Sequence, residues 1–188
     1  MILAAAFAEV PCDFLKNLKI VEKMTDKKSP RALAGASSLY LRADLFELPS
    51  AKRVLLHEIG HLVDLGRLRS KTFSQKSAFL DGSTPVFADD PSAQFYAISF
   101  LENEKWRPET KVSDFVSRYA ATDPFEDFAE SFLFYRENGA TFREMAAKNP
   151  KLQKKYNFLK NKVFGGREFV GKKVAIKSGE IWDATKIL

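Results

Sequence analysis

The apolar and polar positions of the chain change period several times, and each change marks a boundary. Residues 2 to 8 and 12 to 18 have the spacing of short helical pieces, and Lys19-Ile20-Val21 leads into a charged, turn-prone stretch through Lys27-Lys28-Ser29-Pro30. The segment from Leu33 to Ala43 ends in alternation, Leu39 and Leu41 against Tyr40 and Arg42, as expected of one strand with a buried face. The period then lengthens. Val54, Leu55, Ile59, Leu62 and Val63 form a helical stripe between Ser50, a candidate N-cap, and Gly66, placed to end a helix, so a helix is expected over Ala51 to Leu65. Phe79 to Phe87 reads as a loop by its Asp-Gly and Pro content, and Asp90-Pro91 opens a helix to about Asn103. A second loop surrounds Trp106-Arg107-Pro108, after which Asp123-Pro124 starts a helix with Phe125, Phe128 and Phe132 on its core face. Lys151, Lys154, Lys155, Lys160 and Lys162 read mostly as the solvated face of a further helix carrying Leu152, Tyr156, Leu159 and Val163. The expected class is α+β, mostly helical with a small sheet.

Composition narrows this picture. At 188 residues the chain has room for one full-sized domain, read as residues 1–147, with a C-terminal helical segment and tail, residues 148–188, packed on it. A single cysteine, Cys12, excludes an internal disulfide framework and a thiolate metal site. The opening Met1 to Ala8 lacks the positive flank of a signal peptide, and no apolar run reaches the length of a membrane span. Location stays open, with no membrane association expected. The net charge of +6 is uneven: residues 148–188 hold eleven basic and three acidic residues, net +8, which leaves residues 1–147 at −2. A basic patch for nucleic acid or an acidic protein is conceivable there, but the solvated helix face is the preferred reading, and a monomer is expected.

The chain has two histidines, and both fall in His57-Glu58-Ile59-Gly60-His61. This is the H-E-x-x-H pattern. Residues four apart on a helix lie one above the other, so both imidazoles can grip one metal ion, and Glu58 flanks the pair where it can take a proton from a metal-bound water. An amphipathic core helix with two satisfied histidines is the plain alternative. Concentrating every imidazole of the chain at this spacing argues against it, as does Gly60, a mid-helix glycine that signals something packed close to the backbone.

A catalytic zinc site takes a third protein ligand and keeps a position for water. Glu126 and Glu130, four apart in the helix begun by Asp123, are the candidates; one carboxylate could bind metal while the other holds an imidazole by its second nitrogen. Asp123 and Glu126 could equally form a capping box, with Glu130 on the surface. These residues carry a resemblance. His57-Glu58-Ile59-Gly60-His61-Leu62-Val63-Asp64, followed by Tyr119 and Glu126-Asp127-Phe128-Ala129-Glu130, resembles the gluzincin metallopeptidases of the anthrax lethal factor catalytic-domain type, which include the bacterial Pro-Pro endopeptidases. The resemblance runs from the strand at Leu33 to the helix ending near Tyr135, and the chain departs from the compact members in its long segment between His61 and Tyr119.

The resemblance implies a zincin-like fold, one Zn²⁺ per chain held by His57, His61 and Glu126, Tyr119 as donor to the oxyanion, and Glu130 as the residue that orients His57. It also implies a peptide or protein substrate. The expected function is a zinc endopeptidase with Glu58 as general base. In a small mixed sheet, the strand before the metal helix would be the edge along which substrate docks, through Leu39, Tyr40 and Leu41. Asp64, near the helix end, could support a histidine, but a plain helix-end role is preferred. Two rival readings are a non-catalytic zincin-like module that binds an acidic partner or nucleic acid through the basic tail, and a toxin-like effector protease acting on a host protein.

Overall fold

The computed structural model describes residues 2–70, 72 and 75–187. Among them are six α-helices and three small sheets, an α+β architecture. The elements in chain order are α1 (Ile2–Ala8), β1 (Ile20–Met24), β2 (Ala32–Ala34), β3 (Ser38–Arg42), α2 (Ala51–His61), β4 (Lys76–Asp81), β5 (Thr84–Phe87), α3 (Pro91–Tyr96), β6 (Phe100–Glu102), β7 (Lys105–Trp106), α4 (Pro124–Glu137), α5 (Gly139–Ala146) and α6 (Pro150–Phe158). The centre of the molecule is the packing of α2 against α4. None of the described helices is long and apolar enough to cross a membrane.

The main sheet is mixed, in the order β1-β3-β2, with β1 parallel and β2 antiparallel to β3. This corrects the reading of Leu33 to Ala43 as one strand and of Leu39, Tyr40 and Leu41 as a docking edge. A tight turn, with the Gly35 N–H donating to the Ser38 carbonyl at 3.0 Å, folds that run back on itself. As a result β3 lies between two neighbours that occupy both its sides, and Leu39 and Leu41 are buried core residues. The strand at the edge beside α2 is β2.

Other boundaries also move. α2 continues past His61 as a wider π-type turn, Leu62–Arg67. Gly66 lies inside that turn without a positive φ, and its missing side chain admits the Ala36 carbonyl, which a Cβ would meet at 2.3 Å. The segment read as a loop at Phe79 to Phe87 belongs to the β4–β5 hairpin, in which Asp81 pairs with Thr84 and Gly82 takes φ +58° as the first of the two turn residues, a position where hairpins favour glycine. α3 stops at Tyr96, because Phe100 and Leu101 alternate between buried and exposed in the β6–β7 hairpin.

The lysines of α6 are not uniformly solvated. Lys155 is fully buried, 2.7 Å from the equally buried Asp127 carboxylate, donates to the Asp114 carbonyl at 2.8 Å and stands 4.0 Å above the Phe115 ring. Burial pushes Asp127 up to about 6 despite this partner, and burial likewise lowers Lys155. Removing one member of such a pair strands the other charge in the core. Lys155→Met should therefore lose about 3–5 kcal/mol of stability in urea unfolding; a loss under about 1 kcal/mol, the range of a surface pair, would contradict this.

Candidate metal centre

α2 presents His57 and His61 on one face, both buried, with 5% and 8% of their surface exposed. Ser50 contributes no side-chain cap, so the helix begins on backbone bonds such as Val54 N–H to Ser50 carbonyl at 3.0 Å. α4 is started by Asp123, whose carboxylate accepts from Phe125 N–H at 2.8 Å, with Pro124 as the first helical residue. The Glu126 carboxylate is turned toward the histidines: its Oε2 lies 3.1 Å from His57 Nε2 and 3.5 Å from His61 Nε2.

The two helices can meet this way because Gly60 and Ala129 touch. A Cβ on Gly60 would stand 2.9 Å from Ala129 Cα, so any side chain there would wedge α2 from α4. One residue beyond Ala129, Glu130 is fully buried and its Oε1 receives His57 Nδ1–H at 2.9 Å. Its Oε2 accepts from Ser117 Oγ at 2.6 Å and from the Ala184 N–H at 2.7 Å. With Nδ1 committed to Glu130, the lone pair of His57 is left on Nε2, facing Glu126.

The donor set fits a metal ion. One ligand atom each from His57, His61 and Glu126 lie within 4.8 Å of one another. Tetrahedral ligands about 2.0–2.2 Å from zinc stand about 3.3–3.6 Å apart, close to the separations seen. Glu126 Oε2 is also buried without a well-formed hydrogen bond, facing two imidazole nitrogens.

The electrostatics point the same way. Burial disfavours imidazolium, yet Glu126 and Glu130 raise the pKa of His57 well above its ordinary value, and Glu126 raises that of His61. Against its own burial, Glu126 is held well below the usual carboxylate range by the two imidazoles. The site is thus built to hold positive charge.

Glu58 is buried at the edge of a cleft of about 310 Å³, whose wall also includes His57, Tyr119, Arg31, Trp182 and Lys186. Burial raises its pKa, partly offset by both histidines, and the Ala34 N–H of β2 donates to its carboxylate. The Tyr119 ring stacks on His57 with centroids 6.0 Å apart, and burial together with Glu126 raises the phenol's pKa.

The site therefore gathers His57, Glu58, His61, Tyr119, Glu126 and Glu130. Leu39 and Leu41 are instead in the core, and Tyr40 is half-buried beside them on β3. Asp64 is bonded elsewhere: its carboxylate accepts from Tyr96 Oη at 2.6 Å, and burial pushes it up to about 7. Sequence reasoning missed Ser117, Trp182 and Ala184. A backbone N–H leaves no mark in residue type, and the Ser117 hydroxyl is one of many.

An H-E-x-x-H helix packed on a glutamate-bearing helix, with two imidazoles and a carboxylate converging beside a cleft, is compatible with a zinc site of the metallopeptidase kind. The family described as "Putative zinc-binding metallo-peptidase" matches residues 46–170, and the chain belongs to that family. No curated protein and no solved structure gives a significant match.

Metal binding must displace protons from the raised imidazoles. Below the raised pKa values the histidines are protonated and compete with zinc; above them they are free. Zinc affinity, measured by chelator competition across pH, should begin to fall above the ordinary histidine value of 6.5 as pH is lowered. Affinity flat down to pH 6 would contradict the assignment.

Proposed function

We propose that the protein is a zinc endopeptidase of zincin-like fold, a gluzincin of the lethal factor type, holding one Zn²⁺ through His57, His61 and Glu126 and acting as a monomer on peptide substrates. The observation that carries this reading is the convergence of His57 Nε2, His61 Nε2 and Glu126 Oε2 beside Glu58 at an open cleft. Zinc held there would polarise the scissile carbonyl and lower the pKa of a bound water toward about 7.

Glu58 is the general base. Burial raises its proton affinity, which suits a carboxylate that takes a proton from the attacking water and delivers it to the leaving amine. Tyr119, its phenol kept protonated, donates to the oxyanion as the tetrahedral centre forms. Glu130 keeps the Nε2 lone pair of His57 directed into the site. The sheet edge that meets the cleft is β2, through Ala32, and an extended peptide would run along it.

The reading as a non-catalytic module loses support from the tail. Lys155 is buried, while Lys151, Lys160 and Lys173 pair with Glu109, Glu168 and Glu144, which leaves a weaker basic face than the sequence suggested. The toxin-like reading shares every chemical step and differs only in substrate.

Glu58→Gln should retain about one zinc per chain while peptide hydrolysis falls by about 10²–10⁴-fold. Unchanged hydrolysis would contradict the mechanism. Glu126→Ala should lose zinc affinity more severely than Glu130→Ala; the reverse order would exchange their roles.

A further inference from the structure

Part of the cleft wall, Trp182 to Lys186, comes from a stretch of the chain that the family match does not reach. Residues 181–186 run beside the segment that carries Tyr119: Arg118 N–H donates to the Ile181 carbonyl at 2.8 Å, and Tyr119 N–H to the Trp182 carbonyl at 2.7 Å. The chain then turns inward. Asp183 accepts from Thr185 N–H at 2.7 Å and pairs with Arg31 at 2.8 Å, which starts the short 3-10 turn Ala184–Lys186. Ala184 is fully buried and both its backbone groups are used: its N–H reaches Glu130 Oε2 at 2.7 Å, and its carbonyl accepts from Arg53 Nε at 3.1 Å.

We propose that residues 181–186 are a built-in part of the metal centre, in which Ala184 is a positioning residue: its N–H fixes the Glu130 carboxylate and so the orientation of His57. The proposal rests on the zinc reading above. A carboxylate that receives His57 Nδ1–H on one oxygen has one remaining torsion to set, and the two donors on the other oxygen, Ser117 Oγ and Ala184 N–H, set it. Ser117 comes from the segment just before Tyr119, so one short stretch of tail secures both the residue behind His57 and the backbone of Tyr119.

The backbone allows a direct test in the intact 188-residue chain. Ala184 is the first residue of its turn and follows Asp183 at φ −145°, ψ 121°, an extended conformation compatible with a following proline. Ala184→Pro removes the N–H and points a ring carbon at the Glu130 oxygen, which stands 2.7 Å from that nitrogen. Ala184→Gly keeps the N–H. For Ala184→Pro we expect the zinc Kd, from chelator competition, to rise about 10-fold or more, with an altered visible spectrum of the cobalt(II)-loaded protein. Ala184→Gly should keep the wild-type Kd and spectrum. Arg31→Ala, which removes the part-exposed partner of the buried Asp183, should raise the Kd by a smaller factor, about threefold. Melting of each metal-free variant separates positioning from stability, since a purely structural role would lower the melting temperature and leave the Kd of the folded protein unchanged. Wild-type Kd in Ala184→Pro overturns the proposal; should that variant not fold, wild-type Kd in Arg31→Ala overturns it. Absence of zinc binding by the wild-type protein would instead defeat the metal reading on which it rests.

Discussion

Gly60 and Ala129 let two helices pack at backbone distance, and the geometry of the site follows from that contact. A Cβ at Gly60 would lie 2.9 Å from Ala129 Cα. Glycine inside a helix sacrifices about 1 kcal/mol relative to alanine, a penalty that close packing can offset. What the close packing secures is position. His61 follows Gly60 directly and Glu130 follows Ala129, so helices held apart by one methyl group would move Glu126 off both imidazoles and Glu130 off His57 Nδ1.

The same contact creates an electrostatic problem. Glu58, Glu126 and Glu130 are brought around two imidazoles with little water, and buried carboxylates are unfavourable without positive charge or hydrogen bonds. Glu130 is met by Ser117, Ala184 and His57; Glu58 by Ala34; Glu126 faces the two imidazole nitrogens and the Tyr119 phenol. In the metal-free chain the histidines answer with raised proton affinity. A divalent cation at the same point would supply that positive charge permanently, which makes the pKa pattern and the ligand geometry two views of one design.

The residues that converge at the site and those that only support them differ in how legible they were. His57, His61, Glu126 and Glu130 lie four apart within single helices, a local spacing that sequence displays directly. The β2–β3 hairpin was hidden because alternation reports which face is buried, not which strands flank it; the turn at Gly35 decided that. Lys155 was hidden by its neighbours: it falls between Leu152, Tyr156 and Leu159 on the apolar stripe, yet in a run of lysines it looked like the rest. Ala184 could not have been found, since its contribution is a backbone N–H brought 54 residues along the chain to Glu130.

The claim tested most directly by one measurement is that these three side chains share one zinc ion. Anomalous diffraction at the zinc edge from crystals of the zinc-loaded protein should show one peak about 2.0–2.2 Å from His57 Nε2, His61 Nε2 and a Glu126 carboxylate oxygen. Zinc bound without Glu126, or no peak between the three, would contradict the account.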